Sequence, residues 1–377
     1  MAQPIYLDHA AATPLDPAVL TAMQPYFSEQ FYNPSALYGP ARKVGQDIAA
    51  ARQSVAQWLG SRPSEIIFTA GGTEANNLAI HGVMRSYDEA HCVVATIEHD
   101  SVIAPAEQYD HSFLPVKADG IIDQAALTAL ITDKTVLISV QYANNEIGTI
   151  QPIRDLSRIV ATIREGRRAS GNDYPLYLHT DACQAGNYLD LHVARLGVDL
   201  MTINGGKIYG PKQSGALFVK AGIVLRPLIN GGGQERNLRS GTENVPAIIG
   251  LAKALDIAQP MRNDEGNRLK TLQRRFIDGL PPTAIVNGSL KKRLPNNVHV
   301  TFPGHDNERL LIQLDVAGIL AAAGSACSAS NDEPSHVLKA IGADDETARA
   351  SLRFTMGRGT TEADIDTVLA ELKRLIG

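Results

Sequence analysis

Four residues of this 377-residue chain have the types and settings for covalent or proton-transfer chemistry: Lys207, Asp181, His99 and Cys327. Lys207 stands in Asn204-Gly205-Gly206-Lys207-Ile208-Tyr209-Gly210-Pro211-Lys212, between the apolar runs Leu200-Met201-Thr202-Ile203 and Ala216-Leu217-Phe218-Val219. A lysine between two strands, flanked by glycines, can be brought against a ligand by the backbone alone. Desolvation there lowers its pKa and frees the amine as a nucleophile. Taken singly, such a lysine is more often a solvated loop residue. Cys327 lies in Gly324-Ser325-Ala326-Cys327-Ser328-Ala329-Ser330, where small neighbours would leave a thiol accessible, as reactivity requires. His99 follows a strand in Ile97-Glu98-His99-Asp100-Ser101 and could stack on a flat ring and shuttle protons near neutrality. A lone histidine is also commonly a satisfied structural residue.

Lys207 gains meaning from two partners. Asp181 closes the apolar run Leu176-Tyr177-Leu178-His179-Thr180. A carboxylate at one strand end and a lysine at another form the pair used with pyridoxal phosphate: the lysine makes the Schiff base and the carboxylate keeps the ring nitrogen protonated. A buried salt bridge is the alternative. Gly71-Gly72-Thr73 lies between a strand and a helix, where free N–H groups and the helix dipole make an anion site. A tight packed turn, with Thr73 as a cap, is the plainer reading. Neither G-x-G-x-x-G nor a Gly-Lys-Ser/Thr loop occurs there. Arg353, in Ser351-Leu352-Arg353-Phe354, is an arginine within an apolar run and suits a carboxylate of the protein or of a substrate. The stretches from Gly231 to Arg236 and from Arg239 to Asn244 are glycine loops that could also donate to phosphate. Cys92 falls inside a strand and reads as inert core, while Cys183, beside Asp181, is ambiguous.

Positioning these groups calls for an α/β scaffold. Helices are expected over residues 17 to 27 and 40 to 59. Strands are expected at 66 to 69, 92 to 96, 136 to 140, 176 to 180, 200 to 203 and 216 to 219, with helices over 74 to 84 and 153 to 164. Short apolar runs alternating with helices predict a mostly parallel sheet covered on both faces, with ligands at the carboxyl ends of the strands. Gly72, Thr73, His99, Asn145, Asp181 and Lys207 all fall just past such ends. Beyond about residue 255 the pattern changes. A polar connector helix (261 to 278), a strand (297 to 302), a helix (308 to 316) and a terminal helix introduced by a Thr361–Asp364 capping box follow. The expected division is a large domain, 16 to 255, and a smaller α+β domain made of 1 to 15 with 256 to 377.

Composition narrows the function. A net charge of −5 offers no excess of cations to neutralise phosphates, which argues against nucleic-acid binding. No apolar run has the length of a membrane span, and the first residues lack the basic start and apolar core of a secretory signal. Three cysteines without a Cys-x-x-Cys pair imply neither a disulfide framework nor a zinc knuckle and suit a reduced, cytoplasmic setting. The histidines lack metal-ligand spacing.

Taken together, the motifs resemble the cysteine desulfurases of the class V aminotransferase group, which are fold-type I pyridoxal phosphate enzymes. The matching segments run in order through nearly the whole chain. They are Tyr6-Leu7-Asp8, Asn33-Pro34-Ser35, Phe68 to Asn77, Glu98-His99, Asn144 to Gly148, Asp181-Ala182-Cys183-Gln184, Lys207 to Lys212, Arg239-Ser240-Gly241-Thr242, Gly324 to Cys327 and Ser351 to Phe354. The resemblance implies a homodimer with pyridoxal 5'-phosphate as cofactor and L-cysteine as substrate. It implies that Lys207 carries the Schiff base, that Asp181 contacts the ring nitrogen and that His99 lies over the ring. Asn145 and Gln184 would approach the ring hydroxyl. Gly72 and Thr73 would bind phosphate, with Thr242 reaching it from the partner subunit. Arg353 would hold the substrate carboxylate. Cys327 would take the sulfur as a persulfide, leaving alanine, for iron–sulfur scaffold assembly or another sulfur acceptor. The chain departs from the family at Asn204, usually Ser, and Gly206, usually His, two positions that help hold the phosphate. The change removes a charge-capable donor, worth about 1.5–3 kcal/mol per charge-assisted hydrogen bond. Selenocysteine or cysteine/cystine lyases on the same scaffold, or a degenerate partner-binding homologue, are the alternatives.

Overall fold

The computed structural model describes residues 4–324 and 334–376. The chain opens with a short strand, β1 (Ile5–Tyr6), and then builds the main sheet: β2 (Ile66–Thr69), β3 (His91–Ala95), β4 (Asp110–Leu114), β5 (Thr135–Ser139), β6 (Tyr177–Asp181), β7 (Leu200–Asn204) and β8 (Gly215–Val219). Its spatial order is β2-β8-β7-β6-β5-β3-β4. All neighbouring pairs are parallel except those involving β8, which runs antiparallel to both β2 and β7. The sheet is therefore mostly parallel, as the alternating pattern implied. The exception comes from the connection after β7, which returns the chain directly into β8 without a crossover helix. Lys207 sits in that return.

The central strands β5 and β8 are buried at every residue, consistent with helices on both faces. One face packs on Gly39–Leu59 and the first half of Val245–Gly279, with Val55, Leu59, Phe68, Ile203 and Leu251 in one core. The other face carries the helix Gly72–Met84, whose Leu78, Ile80 and Val83 pack with Ile67, Val94 and Leu217.

Two further small sheets lie beyond. β9 (Ile285–Val286), β10 (Asn297–Thr301) and β12 (Ser351–Thr355) form an antiparallel sheet, and β11 (Ile319–Leu320) pairs in parallel with β1. Leu7 joins their core with Phe276, Phe302, Phe354 and Leu369. The polar connector read at 261 to 278 is the second half of one 35-residue helix, Val245–Gly279, which continues through Pro260. Its first half buries Ile248, Leu251 and Leu255 in the large core and its second half Leu269, Leu272 and Phe276 in the small one. The terminal helix Glu362–Ile376 begins with the expected box: the Thr361 N–H donates to Asp364 Oδ2 at 2.8 Å, and the Asp364 N–H donates to Thr361 Oγ1 at 3.2 Å.

Candidate active site

The carboxyl ends of β2, β3, β5, β6 and β7 converge on a cleft of about 320 Å³, lined among others by Gly72, Thr73, His99, Asn145, Asp181, Gln184, Asn204, Lys207 and Arg353. Nine residues from across the chain thus meet in one place: eight end or follow strands of the main sheet, and Arg353 comes from the middle of β12 in the small antiparallel sheet. An adjoining cleft, lined by Gly71, Gly72, Thr73, Asn204, Gly206, Lys207 and Lys212, extends it past the N-terminus of Gly72–Met84.

Lys207 occupies a 3-10 turn, Gly205–Lys207, whose first N–H groups are organised by Asn204: its Oδ1 accepts from the Gly206 N–H at 2.9 Å. The Lys207 ammonium donates to the Ala11 carbonyl. Burial pushes its pKa below the usual lysine value, and the Arg353 charge adds to the shift, while Cys183, Asp8 and Asp181 oppose it. The N-terminal segment is latched over this turn. Thr13 Oγ1 donates to the Gly206 carbonyl at 3.1 Å and accepts from the Tyr209 N–H at 2.8 Å, and Lys212 donates to the Thr13 carbonyl at 2.7 Å.

Asp181 is 8% exposed and keeps both oxygens hydrogen-bonded: Oδ1 accepts from the Cys183 N–H at 2.8 Å and Oδ2 from Asn76 Nδ2 at 2.7 Å. The neighbouring Cys183 thiol is pushed well up by burial and by Asp181, so it stays protonated. His99 caps the helix Asp100–Ala106, its Nδ1 accepting from the Ser101 N–H at 3.0 Å. That bond assigns the proton of the neutral ring to Nε2.

The helix Gly72–Met84 starts at Gly71 with no side-chain cap among the described residues, and its first turn opens on both clefts. Gly72 is required there: a Cβ would stand 2.6 Å from Cys183 Sγ and 3.3 Å from Asn204 Nδ2. Gly206 has more room, the nearest atom to a Cβ being Asn204 Oδ1 at 3.4 Å.

Arg353 is 1% exposed on β12. Its Nη2 donates to Asp8 Oδ1 at 2.7 Å and its Nη1 to the Asn145 carbonyl at 3.0 Å, while Nε has no partner among the described residues. Gln184 donates to the Ala10 carbonyl at 3.0 Å. Thr242 is exposed and does not line the cleft of its own chain. Cys327 lies outside the described residues. Sequence reasoning overlooked Asn76, Ser101, Gln141 and the Ala10–Ala11 wall. It also missed Asp8 as the Arg353 partner, a pairing across 345 positions that nothing local announces.

The family model for class-V aminotransferases matches residues 5–368. The chain belongs to the class-V aminotransferases. Within these enzymes it groups with the cysteine desulfurases. It is 41% identical to the cysteine desulfurase IscS of Dictyoglomus turgidum, over 100% of this chain and 95% of that relative. It is 40% identical to the human cysteine desulfurase, over 97% of this chain and 80% of the relative. Among solved structures, a NifS-like protein superposes with a TM-score of 0.90 at 30% identity, covering 99% of both chains. The structure of SspA in complex with cysteine gives 0.82 at 34% identity, covering 93% of this chain and 98% of that one. The chain thus has the fold of this class-V aminotransferase group, with its mostly parallel sheet and helices.

Proposed function

We propose that this class-V enzyme is a pyridoxal 5'-phosphate-dependent cysteine desulfurase that converts L-cysteine to L-alanine and carries the sulfur on Cys327 as a persulfide. The observation that carries the reading is one cleft holding a desolvated amine, a doubly hydrogen-bonded buried carboxylate and an uncapped helix N-terminus. The donor set fits the cofactor. Gly72 and Thr73 stand where an anionic phosphate would meet the free N–H groups of the helix N-terminus, with Asn204 and Gly206 lining the same cleft. Asp181 would face the ring nitrogen, His99 the ring, and Asn145 and Gln184 its hydroxyl. When bound, the cofactor supplies an electron sink beside the substrate α-carbon.

The chain's own residues then have defined tasks. The lowered pKa of Lys207 enlarges the fraction of free amine able to accept the α-proton at Nζ. His99 presents Nε2–H to the cleft. Arg353, held by Asp8 and the Asn145 carbonyl, lines the cleft and brings the guanidinium charge that would meet the substrate carboxylate. Cys327 attacks the substrate sulfur: an S–S bond forms, the C–S bond breaks, and its electron pair stays with the carbon fragment. Protonation of that fragment yields alanine, so L-cysteine and one thiol give alanine and one persulfide.

We further propose that the functional unit is a homodimer in which the partner subunit's Thr242 completes the phosphate site, supported by the exposure of Thr242 and its absence from the lining of its own cleft. The persulfide would pass to an iron–sulfur scaffold or another acceptor protein, in the reducing cytoplasm that a catalytic thiol requires. Residues 16 to 255 would form the large domain and 1 to 15 with 256 to 377 the small one; the separate core around Phe276 and Phe354, which includes Leu7, supports this division. The test compares turnover of L-cysteine, L-selenocysteine and L-cystine by the purified protein. Alanine from L-cysteine with persulfide on Cys327 supports desulfurisation, whereas turnover confined to selenocysteine or cystine assigns the scaffold to a lyase.

A further inference from the structure

Asp181 and His99 lie on different strand ends, yet a single side-chain relay joins them. Asn76, on the helix Gly72–Met84, is 1% exposed, and its Nδ2 donates both hydrogens: one to Asp181 Oδ2 at 2.7 Å, the other to Ser101 Oγ at 2.9 Å. Ser101 Oγ in turn lies 2.9 Å from His99 Nδ1, the nitrogen that also accepts from the Ser101 N–H. Asn76 Oδ1 is buried and has no partner among the described residues. An amide oxygen left unpaired is costly, and rotating the amide would seem to offer relief. Rotation, however, would set that oxygen against the Asp181 carboxylate. The observed orientation is therefore dictated by Asp181 and is held against the amide's own interest. A helix residue that only packed would not need this arrangement.

We propose that Asn76 and Ser101 are positioning residues that couple the carboxylate of Asp181 to the imidazole of His99, so that the two groups addressing a bound ring act as one unit. This rests on the reading of the cleft as a pyridoxal phosphate site. Asn76 Nδ2 and the Cys183 N–H each hold one oxygen of the Asp181 carboxylate. Ser101 accepts from Asn76 and orients His99 so that Nε2–H faces the cleft. Losing either residue should loosen both ends, which predicts non-additive effects.

The test is a double-mutant cycle on the purified enzyme, using Asn76→Ala, Ser101→Ala and the pair, with Ser101→Thr as the conservative variant that keeps the hydroxyl. Three quantities are read: the dissociation constant for pyridoxal phosphate, the visible absorbance maximum of the bound cofactor, and kcat and KM for L-cysteine. Asn76→Ala removes one hydrogen bond to a charged group, equivalent to about a 10- to 150-fold loss. It is expected to weaken cofactor binding within that range, move the absorbance maximum and lower kcat more than it raises KM. Ser101→Ala should move the same quantities in the same direction by less, Ser101→Thr should restore them, and the double variant should resemble Asn76→Ala. Additive effects, or an unshifted absorbance maximum in both single variants, would overturn the coupling while leaving the cofactor assignment standing. Failure of the unmodified protein to bind the cofactor would overturn the cofactor reading itself, and the inference with it.

Discussion

The Arg353 fork offers the sharpest quantitative expectation. Arg353→Lys keeps the positive charge at a buried position but replaces a planar five-donor group with a point charge on a flexible stem. The native side chain donates Nη2 to Asp8 and Nη1 to the Asn145 carbonyl, and its Nε has no partner among the described residues. An ammonium cannot hold Asp8, reach the carbonyl and still present a donor to an incoming carboxylate. At least one charge-assisted bond to substrate is lost, about 1.5–3 kcal/mol, which at about 1.4 kcal/mol per tenfold is about a 10- to 150-fold rise in KM for L-cysteine. Because the fork does not address the sulfur, kcat should change far less. The assay is alanine formation at saturating and limiting L-cysteine, with the urea unfolding midpoint measured beside it. Arg353→Leu, in contrast, strands Asp8 and should lower stability by up to about 3–5 kcal/mol, less to the extent that Asp8 reaches water. A well-folded Arg353→Lys enzyme with an unchanged KM would refute the assignment of Arg353 to the substrate carboxylate.

Three other outcomes follow from the same structure. Cys327→Ala should retain the visible colour of bound cofactor but form no persulfide, read by mass spectrometry after L-cysteine; normal alanine release from that variant would remove Cys327 from the sulfur step. Two fully buried histidines should set an acid limit on stability. Burial lowers His179 to about 4 and His299 to about 3, whereas both titrate near 6.5 once unfolded. The unfolded chain therefore binds more protons below about pH 6.5. Stability should be level above that pH and fall beneath it, by about 1.4 kcal/mol per pH unit per histidine until the folded values are reached; a urea midpoint that held steady from pH 7.5 to 4.5 would contradict this. Gly60→Ala should destabilise by more than about 1 kcal/mol. Gly60 ends the helix Gly39–Leu59 at a φ of 63°, and a Cβ would stand 2.3 Å from His192 Nε2, so an unchanged unfolding midpoint would show that the turn is more permissive than its geometry.

Local pattern carried the sheet well. The run Ile66-Ile67-Phe68-Thr69 is β2 to the residue, because a buried strand bounded by turns leaves an unbroken apolar signature. The strand Asp110–Leu114 carries little apolar signal because only Leu114 of its five residues is buried. The helix Val245–Gly279 is legible only in its second half because Pro260 signals a break, and because an almost wholly buried, small-residue first half gives way there to a polar second half. The cleft was legible in outline, since Gly72, His99, Asp181 and Lys207 all sit where strands end. Its supporting bonds were not. Asp8 with Arg353, and Asn76 with Asp181 and Ser101, are contacts made by tertiary closure, and residue spacing holds no trace of them.

The central claim is that Lys207, Asp181 and Cys327 serve one reaction. The most direct measurement is a single turnover: purified protein loaded with pyridoxal phosphate is mixed with one equivalent of L-cysteine, and the visible spectrum, alanine and protein-bound persulfide are followed together. The account predicts a spectral change on addition and alanine and Cys327 persulfide in equal amounts. A protein that stays colourless with the cofactor, or that releases alanine with no persulfide on Cys327, would contradict it.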